Sequence, residues 1–361
     1  YLLRKVGHVR VCAALASLIS AVMIMYPWVT DPYAWTAGRI LVGFCFSGVY
    51  VTAESWLNDS TDNENRGQAL ALYMIMQMLG IVTSQALLVL ADPGGFILFI
   101  IPSVLISLAF TPILLSISPV PAHASAKPLS LIQIWKASPL GCVGMLLLGG
   151  IFSAQFGMAS VFGTQAGLSV AQISTFVSAF FVGALVLQFP IGWLSDRMDR
   201  RLLIMGTSSI LGGAAIFGAL FSGAFWAIVV SAVIVGGMSN PLYSLLLAYV
   251  NDYLDHDAMA GAAGGMVFIN GLGAVSGPLL LGWIMSAFGP PGFFIFIALL
   301  GAVLAAYAGF RMTIRPAPAA SETDSYAIVT MSSSPAAVSF ATEYAIDTAQ
   351  EDETSENPRS A

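Results

Sequence analysis

The ten residues GWLSDRMDRR (192–201) form a short charged stretch between two long apolar runs, at 171–193 and 202–222. Each run has about the 20 residues that an α-helix needs to cross a hydrocarbon core of roughly 30 Å. A charged turn between two spanning helices is typical of a polytopic membrane protein. The same alternation of apolar runs and short polar links continues on both sides of this stretch.

The composition also indicates lipid as the main solvent of the fold. Of 361 residues, 57% are hydrophobic and 9% are charged, whereas a soluble domain carries about 25% charged residues. The apolar runs are continuous and rich in Leu, Ala, Gly and Ile, so helices fit them better than the alternating strands of a membrane β-barrel. We therefore predict an all-α polytopic membrane protein.

Ten apolar runs predict ten membrane helices. They lie at 11–28, 35–57, 67–90, 96–116, 139–161, 171–193, 202–222, 224–250, 259–287 and 292–311. The longest internal link, 117–138, contains three prolines and separates a first part, 1–116, from a six-helix second part, 139–311. The remainder, 312–361, is acidic and rich in Pro, Ser and Thr, so we predict a disordered tail.

The basic residues predict the orientation in the membrane, because Lys and Arg near helix ends stay in the cytoplasm. Twelve of the 13 basic residues fall on one side of the predicted topology: Arg4, Lys5, Arg10, Arg66, Lys127, Lys136, Arg197, Arg200, Arg201, Arg311, Arg315 and Arg359. The thirteenth, Arg39, lies within a predicted helix. The loops with Lys127 and Arg197 and the C-terminus are therefore expected in the cytoplasm.

An internal repeat relates the two parts of the chain. An offset of 193 residues takes Gly43 to Gly236, Asn58-Asp59 to Asn251-Asp252, Gln77 to Asn270 and Gly80 to Gly273. The same offset places the counterpart of Pro139 about 55 residues before Tyr1, which is room for two more helices. We therefore expect that two helices of the first part precede this sequence.

The charged stretch at 192–201 resembles the cytoplasmic loop signature of the major facilitator superfamily, G-x-L-a-D-R-x-G-r-r, with Asp199 at the second Gly. A weaker copy, YLLRKVGHVR, occupies 1–10. Arg39, Gly43 and Gly48 are similar to the Arg-and-Gly motif of the fourth helix in this family. The segment AESWLN (53–58) and the pair Arg66-Gly67 resemble the YcaD-like subgroup.

The resemblance covers residues 1 to about 311. It implies two pseudo-symmetric six-helix bundles around a central cavity, of which ten helices are present here. It also implies transport by alternating access, in which the two bundles rock about the cavity. The resemblance does not fix the solute.

Two charged residues lie in the interior of predicted helices, where a charge at the bilayer centre costs roughly 2.5–3.5 kcal/mol. Arg39 is predicted to act in coupling; the alternative is an interfacial anchor. Glu54 either carries a proton or pairs with a basic residue of the first loop: Arg4, Lys5 or Arg10. The two are about 22 Å apart along an ideal helix, too far to pair directly.

Two further sets of residues are candidate functional residues. The cytoplasmic gate is predicted to comprise Gly192, Asp196, Arg197, Arg200, Arg201 and Asp252. The substrate cavity is predicted to be lined by Tyr50, Tyr73, Gln77, Gln155, Gln188, Asn240, Tyr243 and Asn270. The alternative for the gate is a loop that only sets topology, and for the cavity set it is hydrogen bonding between helices.

These residues predict a secondary transporter of a small organic solute, driven by protons, in a bacterial inner membrane. A solute receptor that does not transport is the alternative, and a membrane enzyme is less favoured because no convergent catalytic set occurs. No phosphate loop or metal-ligand spacing is present, so no cofactor, metal or nucleic-acid partner is expected. The protein is expected to act as a monomer.

Overall fold

The computed structural model describes residues 8–61, 66–92, 94–115, 129–254 and 256–314. Five residues of the C-terminal tail are also described: Val329, Ser334, Ala337, Val338 and Ala341. The described residues are almost entirely helical, and no strand occurs among them.

The first part of the chain contributes four long helices. They are α1 (His8–Met25), α2 (Pro32–Ser60), α3 (Arg66–Leu87) and α4 (Ile97–Leu115). Asp31 caps α2, because its carboxylate accepts the Ala34 N–H at 2.8 Å and Pro32 needs no partner at the first helical position.

The second part contributes the remaining helices. They are α5 (Leu131–Ala137), α6 (Pro139–Ser153), α7 (Ala159–Gln165), α8 (Val170–Ser195), α9 (Arg200–Leu220), α10 (Phe225–Asn251), α11 (His256–Phe288) and α12 (Gly292–Ile314). A π-helical turn, Ala154–Met158, joins α6 to α7, so these three pieces make one spanning helix. The six-helix second part therefore agrees with the predicted runs.

Seven of these helices are long and apolar enough to cross a membrane. Three shorter apolar helices, Val9–Met25, Leu72–Leu87 and Ile97–Pro112, belong to the first part of the chain. Together they correspond to the ten predicted runs. The protein is a multi-pass, all-α membrane protein, as predicted.

The repeated glycines allow close helix contacts in the second part. A Cβ atom at Gly236 of α10 would overlap the backbone of Phe180 on α8, and one at Gly273 of α11 would overlap the backbone of Leu146 on α6. Their counterparts, Gly43 and Gly80, have no described atom within 4 Å of such a Cβ. The corresponding faces of α2 and α3 are thus uncovered within the described part of the chain.

The first part does not form one bundle among the described residues. Helices α1, α2 and α4 pack together, and the hydroxyls of Ser20 and Ser103 are 2.7 Å apart between α1 and α4. Helix α3 instead packs against α8 of the second part. A single bundle at 1–116 therefore stays a prediction.

Two segments differ from the sequence-based expectation. The link at 117–138 contains the short helix α5, whose capping box pairs Ser130 with Gln133 and whose Ile134 is fully buried. For the tail at 312–361 the sequence predicts disorder, whereas Ile314 belongs to α12 and the five described tail residues are buried. Disorder stays a prediction for the other tail residues, which lie outside the described ones.

Candidate functional site

Glu54 lies at the centre of a polar cluster between α2 and α3. Its side chain is buried, with the residue 2% exposed, and its Oε1 accepts a hydrogen bond from Tyr73 Oη at 2.8 Å. The Gln77 amide donates to the same Tyr73 oxygen at 3.4 Å, and Gln77 also hydrogen-bonds Tyr50. Because a buried carboxylate is costly without donors, the Tyr73 hydrogen bond helps to stabilise an acid here.

No basic residue pairs with Glu54 in the described part of the chain. Arg10, one predicted partner, is exposed. Arg4 and Lys5 lie outside the described residues. The acid is held by neutral donors, so a proton can neutralise it without breaking an ion pair.

The second part presents its own polar groups to this cluster. Tyr243 of α10 is close enough for an electrostatic interaction with Glu54. One residue further along, Ser244 accepts a hydrogen bond from Gln188 Nε2 of α8 at 3.4 Å. The site therefore lies between the two parts of the chain and draws side chains from α2, α3, α8 and α10.

The π-helical turn places Gln155 beside α10. Its Nε2 donates to Ser239 Oγ at 2.9 Å, while its Oε1 is buried without a hydrogen-bond partner among the described residues. Single π-turns inside helices are frequent at functional sites. An unpaired buried amide oxygen at such a turn is an acceptor available to a donor on a bound solute.

Three predicted site residues make different contacts. Asn240 donates to the carbonyl of Gly236 on its own helix at 3.2 Å, and Asn270 donates to the carbonyl of Met145 at 3.0 Å, which ties α11 to α6. Arg39 is exposed on α2 and makes no ion pair with a described acid. For Asn270 the structure favours the alternative of hydrogen bonding between helices.

The two parts also meet at the end of the molecule away from the charged loop. Ser174, near the start of α8, donates its hydroxyl to the carbonyl of Gln85, near the end of α3, at 2.6 Å. Helices α3 and α8 are therefore in contact on this side of the site. Sequence reasoning missed Ser174, because one serine in an apolar run carries no recognisable signal.

The charged loop is organised around an ion pair. Arg200, at the start of α9, pairs with Asp252 at the end of α10, and their side chains are only 3% and 2% exposed. Arg200 also donates to Ser195 Oγ and to the carbonyl of Ala248, both at 3.4 Å. Because α9 and α10 belong to the same part, this pair fixes the loop within one part of the molecule.

Asp199 forms a second ion pair beside the first. It caps α9 by accepting the Arg201 N–H at 2.9 Å, and its carboxylate is 2.7 Å from Arg201 Nη2. Partial burial raises the pKa of Asp199, but the hydrogen bonds and charge of Arg201 outweigh this and hold its pKa below the usual value. The residue that departs from the family pattern is therefore a helix cap.

The other predicted gate residues have different surroundings. Gly192 is buried, while Asp196 and Arg197 are exposed. The Arg197 guanidinium lies 4.2 Å from the Trp193 ring centroid and donates to the Trp193 carbonyl at 3.1 Å. The loop presents Asp196, Arg197 and Asp199 on the surface, beside the buried pair of Arg200 and Asp252.

No group of three or more His, Cys, Asp or Glu residues that could hold a metal occurs in the part of the chain that the structure describes. The three cysteines are buried, separate thiols. The described site thus combines neutral polar side chains with one carboxyl, placed between two groups of membrane helices.

The chain belongs to the Major Facilitator Superfamily. The profile of that family matches residues 1–169 and, in a second overlapping match, 140–341. An uncharacterized MFS-type transporter of Yersinia enterocolitica is 26% identical over 283 residues, which are 74% of this chain and 70% of the relative. YfkF of Bacillus subtilis is 24% identical, covering 82% and 77%, and YcaD of Escherichia coli is 23% identical, covering 82% and 78%.

Solved structures agree on the fold. A bacterial homolog of the human lysosomal transporter Spinster has a TM-score of 0.61 at 14% identity, covering 96% of this chain and 84% of that one. The transporter FucP of the same superfamily, in an outward conformation, has a TM-score of 0.52 at 15% identity, covering 84% and 82%. The predicted fold class and the YcaD-like resemblance are confirmed. The protein is a membrane transporter, and its family is not one of enzymes.

Proposed function

We propose that this transporter moves a small organic solute by alternating access and couples the movement to protons at Glu54. The observation that carries the proposal is the position of Glu54. It is a buried carboxyl between the two parts of the chain, held by neutral donors. A carboxyl without a fixed cation can change its protonation state when the site opens to another compartment.

The hydrogen-bond chain from Glu54 through Tyr73 to Gln77 connects the carboxyl to the predicted solute cavity. Gln155 and Gln188 of the second part add further amide groups. Rocking the two parts about this site changes the water access of Glu54 and the contacts of a solute together. The contact between Ser174 and Gln85, which joins the two parts at one end of the site, supports this proposal.

A solute screen in proteoliposomes tests this proposal. The purified protein is reconstituted with a pH-sensitive dye inside, and candidate solutes are added under an imposed pH gradient. The expected result is accumulation of one solute class with a matching change of internal pH. Solute binding with no flux across any gradient would contradict transport and support a receptor.

The orientation is a further part of the proposal, and cysteine labelling tests it. Cysteines placed near Asp92 and Gly289 should react with a membrane-impermeant maleimide added to intact cells. Cysteines near Lys127 and Ser321 should react only after the membrane is opened, because the basic loops stay in the cytoplasm. The reverse labelling pattern would contradict the orientation.

Arg39 stays a predicted coupling residue, and a charge-preserving substitution tests it. Arg39→Lys keeps the charge but loses the planar fork that binds carboxylates through two bonds. We expect it to reduce accumulation driven by a proton gradient more than solute counterflow without a gradient. Arg10→Ala, which changes another exposed arginine, is the control. If Arg39→Lys and Arg39→Ala both accumulate solute like the wild type at matched expression, Arg39 is not a coupling residue. The alternative, an interfacial anchor, would then be supported.

A further inference from the structure

Part of the C-terminal tail lies inside the molecule. Val329, Ser334, Ala337, Val338 and Ala341 are each at most 6% exposed. Val329, Val338 and Ala341 belong to the same buried hydrophobic cluster as Tyr243 and Met74, which come from the two parts of the chain. These small and apolar tail residues are therefore packed where the two parts meet.

Backbone hydrogen bonds attach this segment to both parts. The Ser244 hydroxyl donates to the Val329 carbonyl at 2.9 Å and accepts the Val329 N–H at 3.0 Å. The Ser334 N–H donates to Glu54 Oε2 at 2.9 Å, and both the Ser334 hydroxyl and the Ala337 backbone also hydrogen-bond Glu54. One carboxylate oxygen of Glu54 thus bonds to the tail while the other bonds to Tyr73.

We propose that the tail residues Val329, Ser334, Ala337, Val338 and Ala341 belong to an inhibitor built into the chain, which occupies the solute site and must leave before transport begins. The inference rests on the proposed function, because the occupied site is the proposed coupling site. Glu54 cannot serve a solute while its carboxylate holds the tail. Contacts to Ser244 and Glu54 together also join the two parts, which opposes their rocking.

The attachment of the segment to α12 makes this inhibition effective at modest affinity. A ligand tethered to the same chain binds as an intramolecular partner, at an effective concentration that can reach the order of millimolar. Weak contacts are then enough to keep the site occupied, and a solute or a binding partner of the tail displaces the segment by competition.

Cysteine accessibility tests the docking without any transport. In a background with Cys12, Cys45 and Cys142 replaced by Ala, the reporter is Ser244→Cys, and the probe is a membrane-impermeant maleimide added to inside-out vesicles. Deleting residues 322–361 should raise the labelling rate of the Ser244→Cys thiol by about tenfold or more. A tenfold ratio corresponds to about 1.4 kcal/mol of docking free energy. Deleting residues 342–361, which keeps the buried segment, should leave the rate unchanged.

A point variant makes the same test without a deletion. Ser334→Pro removes the N–H that Glu54 accepts, whereas Ser334→Ala keeps it. The proline variant should raise the labelling rate more than the alanine variant. Equal rates in the chain, the long deletion and Ser334→Pro would contradict the docking.

A disulfide links the docking to inhibition. Ser244→Cys with Val329→Cys should form a disulfide under mild oxidation, because the Ser244 hydroxyl contacts the Val329 backbone. Leu279→Cys with Val329→Cys should not, since Leu279 is 77% exposed on α11. The first disulfide should stop transport of the solute found by the screen, and a reductant should restore it.

The two proposals fail in different ways. If no solute moves in any variant, transport fails, while labelling and cross-linking still decide the docking. If the segment docks but the 322–361 deletion transports no faster than the whole chain, inhibition is contradicted and transport stands.

Discussion

Glu54→Gln should abolish proton-driven accumulation of the solute while solute counterflow continues. The amide keeps the size of the side chain and can still accept the Tyr73 bond, but it cannot exchange a proton. We expect accumulation under a pH gradient to fall by at least about tenfold, equivalent to 1.4 kcal/mol of lost coupling. The measurement is solute uptake and internal pH in the same proteoliposomes.

Two control variants separate coupling from damage to the helix. Ser55→Ala changes a buried polar residue next to Glu54 and should leave accumulation near the wild-type level. Tyr73→Phe removes a donor to Glu54 but keeps the carboxyl, so pH-dependent transport should be reduced without being lost. Undiminished accumulation in Glu54→Gln, at matched expression, would exclude Glu54 as the coupling residue.

The fold could be predicted from the sequence because lipid imposes a simple rule. A spanning helix must be apolar over about 20 residues, so the apolar runs mark the helices directly. The repeat of glycines at 43 and 236, and at 80 and 273, has a physical cause in the second part, where Gly236 and Gly273 allow backbones to touch. The spacing of apolar runs and glycines along the sequence therefore predicts the helices and some of their close contacts.

The candidate site was only partly predictable, because its contacts join distant residues. Glu54 and Tyr73 lie on different helices, and no local pattern predicts their hydrogen bond. The sequence gives no sign of the π-turn that carries Gln155 or of the contact between Ser244 and Val329. A tail rich in Ser, Pro and Ala is predicted to be disordered because its composition cannot form a core of its own, yet it can fill one that the helices provide.

Asp252→Ala should destabilise the protein strongly, because it removes the acid of a buried ion pair while the Arg200 charge stays buried. Removing one partner of a buried ion pair typically costs about 3–5 kcal/mol. Since 1 kcal/mol shifts the Tm by roughly 2–4 °C in a domain of about 150–250 residues, we expect the Tm in detergent to fall by roughly 10 °C. Asp199→Asn is the matched control: asparagine retains the helix cap, and the Asp199 side chain is 32% exposed, so the lost ion pair should cost less than about 1 kcal/mol.

A double variant separates the cost of an unpaired charge from the net value of the pair. Arg200→Met with Asp252→Leu removes both charges and keeps apolar volume, so the Tm should return close to the wild-type value. If the ion pair sets the loop geometry that changes during rocking, the double variant should regain its stability but not its transport activity. A double variant as unstable as Asp252→Ala would show that other contacts of Arg200, with Ser195 and Ala248, hold the loop. Full transport in the stable double variant would show that the pair only holds α9 and α10 together. The charged loop would then determine membrane topology and have no role in gating.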